Sequence, residues 1–292
     1  MEETILRQIT FRCDLHSSEV DALCSVSGRA PGPHVIVWGA DQHLPLGCEN
    51  VHSDAAFESA QPDAGVTLKI KDSRLWANED PGENLRFGLV WHGVRPLCEY
   101  LFREYMHGSH HPARVIELGA GMGVAGLFLA QLVGAPVLLT DGHPAVVKVL
   151  QQNAQLNHPA CSNVTARRLW WGSEEIHALG NFHLVLATDV VYSACQVRPL
   201  LSTIKNLLSS TDNARAIMAH AARIDAGKQT DEHLSEMLRL ATSEFGLTVD
   251  SVPFKPRSVE EKAVHITEFR HSQLPARVDA HVICKEPFLG LD

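Results

Sequence analysis

The segment Arg114–Gly126, RVIELGAGMGVAG, sets glycines at Gly119, Gly121, Gly123 and Gly126 directly behind a short apolar run, with Gly134 following downstream. Glycine costs stability inside a helix or strand, so such a cluster means that the backbone bends tightly or that a ligand approaches it closely. The amides after such a turn open a helix whose positive end favours a carboxylate or a phosphate. Three further groups extend the pattern. Glu117 ends the apolar run as its last polar residue. Asp141 closes APVLLTD, 22 residues after Gly119, where a carboxylate accepts hydrogen bonds from both hydroxyls of a ribose or else caps the next helix. Trp170 and Trp171 in WWGS can flank an adenine or fill core, and LVLATDVVYS ends a later apolar run on Ala187, Thr188 and Asp189. These residue types suit a cofactor that carries a nucleoside.

Groups so far apart in the chain need a scaffold that gathers them. RVIEL, APVLLTD, NVTARRLWW, FHLVLATDVVY, ARAIMAHAA, LTVDSVPF and RVDAHVICKE read as strands. GVAGLFLAQLV, HPAVVKVLQQNAQLN, VRPLLSTIKNLLSS and DEHLSEMLRLATSEFG read as the helices between them, and LVWHGVRPLCEYLFREYM as a leading helix with Pro96 in its first turn. Strands alternating with helices predict right-handed crossovers and a mostly parallel sheet covered on both faces. Ligands in such sheets sit at the carboxyl ends of the strands, near the point where strand order reverses. KPRSVEEKAVHITEFRHSQLP reads as a long loop, so the last two strands are expected to pair antiparallel. Residues 1–85 read as an N-terminal extension of short strands, HVIVWG and GVTLKI, between polar connectors, and residues 86–292 as the main domain.

Composition removes several classes of function. The chain has 292 residues, 45% of them hydrophobic, which allows a full core. No apolar stretch reaches the length of a membrane span, and the acid-bearing N-terminal segment lacks a signal core. A cytoplasmic protein is expected, with the nucleus as a second compartment, monomeric and bound neither to membrane nor to nucleic acid. The net charge of −9 disfavours affinity built on neutralising phosphates and favours a basic partner. Seven scattered cysteines without a CxxC pair and 17 histidines without an HxH or HExxH spacing suggest neither a disulfide framework nor a metal site.

Two cofactors fit the glycine turn. Gly121, Gly123 and Gly126 match the dinucleotide fingerprint formally, but two residues late counting from the strand exit at Gly119. Glu117 would repel a pyrophosphate, whereas it could help hold a cationic amino-acid group, which S-adenosylmethionine has. LVWHGVRPLCEYL, VIELGAGMGVAGL, VLLTD, LWWGS and LVLATDVVYS, in this order and spacing, resemble the family-16 methyltransferases, seven-β-strand proteins that mostly methylate lysine in other proteins. The resemblance covers roughly residues 88 to 224 and implies a Rossmann-like seven-stranded sheet, mostly parallel with an antiparallel last strand. It also implies S-adenosylmethionine contacts at Trp91, Gly119, Ala120, Gly121, Asp141, Trp171 and Thr188, with Glu117 in support. Asp189 and Tyr192 match a D-x-x-Y signature at the substrate end, Asp189 expected to orient the amine and Tyr192 to wall its channel. A protein lysine methyltransferase with a lysine-bearing protein substrate is the favoured reading. A nicotinamide-dependent oxidoreductase and a non-catalytic interaction module are the alternatives.

Overall fold

Apolar runs that end on glycine or on a polar turn become short buried strands, and the helices after them turn their apolar faces back onto the sheet. The computed structural model describes residues 6–13, 20–27, 34–37, 65–71, 91–106, 110–211, 213–223, 230–254 and 263–272. Strands β1 (Leu6–Cys13), β2 (Val20–Ser27), β3 (His34–Val37) and β4 (Gly65–Lys71) form an antiparallel sheet in the order β3-β2-β1-β4. β3 and β4 coincide with the two apolar segments singled out in the sequence. LRQITFRC and VDALCSVS, which become β1 and β2, carry no continuous apolar run to mark them.

The larger unit begins with α1 (Val94–Met106), which holds Pro96 in its first turn, where a missing N–H leaves no helical bond unmade. It continues as β5 (Val115–Leu118), α2 (Val124–Val133), β6 (Val137–Asp141), α3 (Pro144–Leu156), β7 (Val164–Arg168), a 3-10 helix (Glu174–Leu179) and β8 (Leu184–Thr188). Then follow α4 (Ala194–Leu207), β9 (Arg215–Ala221), α5 (Glu232–Ser243), β10 (Leu247–Phe254) and β11 (Val264–His271). The seven strands of this unit order as β10-β11-β9-β8-β5-β6-β7. β5 pairs parallel with both β6 and β8, so the chain runs outward one way from β5 and the other way from β8. The reversal opens a crevice at the carboxyl ends of β5 and β8.

One sequence expectation is corrected here. The strand antiparallel to its neighbours is VHITEFRH, from within the presumed loop, and it lies between β9 and β10 and pairs antiparallel with both. The expected last strand, RVDAHVICKE, falls outside the described residues. VHITEFRH resembles a loop because it is rich in charge, yet Thr267, Glu268 and Arg270 are buried. Their polarity is satisfied internally. Arg215 Nη1 donates to Glu268 Oε1 at 3.1 Å and its Nη2 to Glu104 Oε2 at 2.7 Å, Arg270 pairs with Glu268, and Tyr100 donates to Glu268. The network ties α1 to β9 and β11.

The core forms two layers. α1, α2 and α3 cover one face of the large sheet and share a continuous cluster with Val66, Leu68 and Ile70 of β4, while α4 and α5 cover the other face. Asn157, just after α3, grips the β4 backbone from both sides: its Oδ1 accepts from Lys69 N at 2.8 Å and its Nδ2 donates to Lys69 O at 2.7 Å. Replacing Asn157 by Ala removes the partner of both Lys69 backbone groups, and a loss of about 1 kcal/mol, the net worth of a typical hydrogen bond, is expected in chemical denaturation.

Candidate active site at the sheet switch point

The turn leaving β5 takes left-handed backbone values, φ +62° at Gly119 and +54° at Gly121, which L side chains rarely adopt. Space also excludes a side chain at Gly119, where a Cβ would lie 2.8 Å from Val190 Cγ1 and 3.1 Å from Trp171 Cζ2. The turn is held from beneath: Ala120 N donates to Thr140 O at 2.8 Å, and Gly123 N donates to Ala120 O at 2.7 Å as α2 begins.

Asp141 stands across from this turn at the end of β6. Its Oδ2 accepts from Gly121 N at 3.2 Å and its Oδ1 from His143 N at 3.0 Å. Capping of α3 falls instead to His143, whose Nδ1 accepts from Ala145 N at 3.2 Å. Burial pushes the Asp141 carboxyl upward against the lowering effect of these amides. Trp171 lies against Gly119 with its indole partly in the core, whereas Trp170 is 57% exposed and lies over Gly142 with the Arg168 guanidinium 5.2 Å from its ring centroid.

Glu117, expected to support a cationic group, lies beneath the glycine turn. β5 is covered on both faces, so its side chain lies under the first turn of α2, where Oε2 accepts from Gly126 N at 2.9 Å. Burial, assisted by the nearby Asp141 charge, pushes its pKa up to about 8. Burial favours its neutral form, and the carboxyl braces the glycine turn.

The end of β8 supplies the other wall. Thr188 is buried and its Oγ1 has no hydrogen-bond partner, which a native structure usually supplies from protein, water or ligand. Asp189 is 5% exposed and left-handed at φ +55°, a conformation Asp tolerates better than most residues. Its carboxylate is engaged by the backbone: Oδ2 accepts from Gly93 N and Oδ1 from Ala221 N, each at 2.7 Å. The group expected to orient the amine therefore ties three segments together at the mouth of the crevice. Tyr192 is 51% exposed, and its hydroxyl accepts from Gln196 Nε2 at 2.9 Å. One residue of this mouth was missed in the sequence. The Arg223 guanidinium lies 5.5 Å from the Trp91 ring centroid and 5.8 Å from that of Tyr192, and donates to Asp189 O at 3.0 Å. Its position just past the end of β9, next to β8, is the signal that could have found it.

The turn glycines, Asp141 and Trp171 thus gather on one side of the crevice, with Trp91, Thr188, Asp189 and Tyr192 on the other. Comparison with known proteins adds that residues 69–239 match the lysine methyltransferase family. The chain belongs to the lysine methyltransferase family. EEF1A lysine methyltransferase 3 of Mus musculus is 30% identical over 197 residues, 67% of this chain and 76% of that one. Protein N-lysine methyltransferase METTL21A of Xenopus tropicalis is 29% identical over 193 residues, 65% of this chain and 85% of that one. Protein-lysine N-methyltransferase EFM6 of Saccharomyces cerevisiae is 32% identical over 174 residues, 51% and 70% of the two chains. This family member is an S-adenosylmethionine-dependent enzyme, and the residues present suit that cofactor: a side-chain-free turn, a carboxylate beside it and a buried hydroxyl without a partner. Among the described residues, no helix of this lysine methyltransferase is long and apolar enough to cross a membrane.

Proposed function

We propose that the enzyme methylates a lysine amine of another protein, with S-adenosylmethionine held by Gly119, Ala120, Gly121, Asp141, Trp171, Thr188 and Trp91. Family membership carries this reading. The unpartnered Thr188 hydroxyl and the Asp141 carboxylate beside the glycine turn support the cofactor side of it. When bound, the cofactor supplies a methyl group activated on a sulfonium.

The chain's own residues have to position and desolvate. Lysine has an ordinary pKa near 10.4, so the amine must lose a proton before it can attack, and apolar walls favour the neutral form. Trp91 and Tyr192 provide such walls, and the Asp189 main-chain carbonyl provides an acceptor for an amine N–H. The Asp189 side chain acts as a positioning residue: it fixes Gly93, two residues after Trp91, and Ala221, two before Arg223. Alignment of amine and methyl in one axis is the main catalytic contribution such a site can make. The charge of −9 suits a basic partner. We place the enzyme in the cytoplasm as a monomer.

The test is to incubate the purified protein with labelled S-adenosylmethionine and cell lysate and to locate the label by mass spectrometry. Label on lysine of a particular protein supports the reading, and label absent or on another residue type overturns it. On the cofactor side, Asp141→Ala should weaken S-adenosylmethionine binding in calorimetry by about 1.5–3 kcal/mol, the loss of charge-assisted hydrogen bonds, alongside a lowered melting temperature from the unpaired Gly121 and His143 amides. Early melting with unchanged affinity would confine Asp141 to supporting the Gly121 turn and the chain leading into α3.

A further inference from the structure

Arg223 is held in an unusual way for a cation. Its guanidinium has two aromatic faces, Trp91 and Tyr192, and one main-chain carbonyl, Asp189 O, and pairs with no carboxylate among the described residues. Among the described residues, the neighbouring Asp189 and Asp231 carboxylates are already committed. Both Asp189 oxygens serve backbone amides, and Asp231 accepts from the Arg223 backbone N at 2.7 Å, from His220 at 2.8 Å and from Leu234 N at 3.0 Å. Aromatic faces plus a carbonyl oxygen make a site that selects cations without neutralising them. An alkylammonium needs the same groups: π faces for its charge and methylenes, and an acceptor for an N–H.

We propose that the Trp91–Tyr192 mouth is the entry site for the substrate lysine and that Arg223 occupies it as a stand-in cation that the incoming amine displaces. This rests on the methyltransferase reading of the crevice. Three placements lead to it. Trp91 precedes α1 and Tyr192 follows β8, so the two rings line the open end of the crevice that Thr188 reaches from β8. The Asp189 carboxylate clamps Gly93 and Ala221, which fixes the Trp91 side and the Arg223 side to the same point. The Arg223 side chain can leave without breaking the clamp, because its backbone N is held separately by Asp231.

Arg223 then sets substrate selectivity. Two cations cannot share one pair of rings, so a substrate amine has to outcompete the guanidinium, and a weakly held exposed amine is rejected. Release of the guanidinium leaves the rings free to surround the lysine methylenes and to receive the ammonium charge at the mouth.

The probe is n-butylammonium, a lysine side-chain analogue, titrated into the full chain and followed by tryptophan fluorescence and by ligand-observed NMR. Arg223→Met should bind it about tenfold more tightly than the unchanged protein, the scale of relieving one competing cation–π contact pair. Arg223→Gln should shift affinity the same way while keeping a polar side chain, which covers the case in which the Met variant does not fold. Adding Tyr192→Leu to either variant should abolish the gain. Equal affinity with and without the guanidinium, or a gain that survives Tyr192→Leu, overturns the proposal. S-adenosylmethionine binding, measured by calorimetry on the same samples, separates the two readings: if it is intact while the butylammonium result fails, only the role of Arg223 falls, whereas its absence from the unchanged protein removes the methyltransferase site itself.

Discussion

Asp189→Asn is expected to lose methyl transfer by about 10²-fold and to melt about 4–8 °C below the unchanged protein. Both Asp189 oxygens accept backbone N–H groups, from Gly93 and Ala221, at 2.7 Å each. Asparagine has one acceptor oxygen, so whichever way its amide is turned, an NH2 faces one of those N–H groups. A buried amide left unsatisfied costs about 1–3 kcal/mol, and about 2 kcal/mol shifts the melting temperature of a chain this size by the amount given. The rate falls because Trp91 and Arg223 lie two residues from the two clamped amides. A misplacement of about 1 Å at an aligned reaction centre costs on the order of 10²-fold. Scanning calorimetry and a methyl-transfer assay on the same samples check both parts. A variant that melts with the unchanged protein yet loses transfer would return the carboxylate to direct contact with the amine.

Glu117 gives the second large effect, and its sign follows from its burial. Its folded pKa of about 8 stands above an ordinary 4.5, so the folded state holds a proton that the unfolded chain releases. The stability tied to that proton is fully present below about pH 4.5 and is lost as pH rises through about 8, at about 1.4 kcal/mol per pH unit within the window. Glu117→Gln keeps an oxygen for Gly126 N and cannot ionise. The two proteins should therefore be similar in stability near pH 4.5, and the Gln variant should be more stable by about 4–5 kcal/mol near pH 8. Urea titrations at several pH values measure the difference, and parallel curves across the window would refute the burial argument. The same Glu117→Gln variant would also show, through cofactor affinity at pH 8, whether the glycine turn needs a charge beneath it.

Much of the scaffold is written in local pattern. Apolar runs such as VIEL and LVLAT could only be buried strands, and their alternation with amphipathic helices leaves few ways to order a parallel sheet. The glycine turn and Asp141 were legible for the same reason: backbone conformation and strand ends leave marks within a few residues. Two kinds of feature left none. β11 hides its strand character behind charges that become tolerable only when Arg215, Glu104 and Tyr100 arrive from other elements to pair with them. Arg223 has no spacing relation to Trp91 or Tyr192, since the three meet only because β9 and β8 are neighbours and Asp189 draws the ends together. Asp189 shows a related limit, since its two amide partners come from distant segments. A carboxylate at a strand end is the same letter whether it faces a substrate or two amides.

The place of β11 bears on how the chain is made. Among the described residues β10 ends at Phe254 and pairs with no strand but β11, which itself has to enter between β10 and β9. A nascent chain emerging from the N-terminus at about 5–20 residues per second can therefore pack β5 to β9 with their helices first. Throughout that interval β9 presents a bare edge and β10 has nowhere to dock. β11 also carries Glu268, which shares Arg215 with Glu104 of α1, so the half-built sheet holds a guanidinium at its growing edge with one of its two acids still missing. That charge discourages the wrong neighbours from zipping on before the right one has left the ribosome.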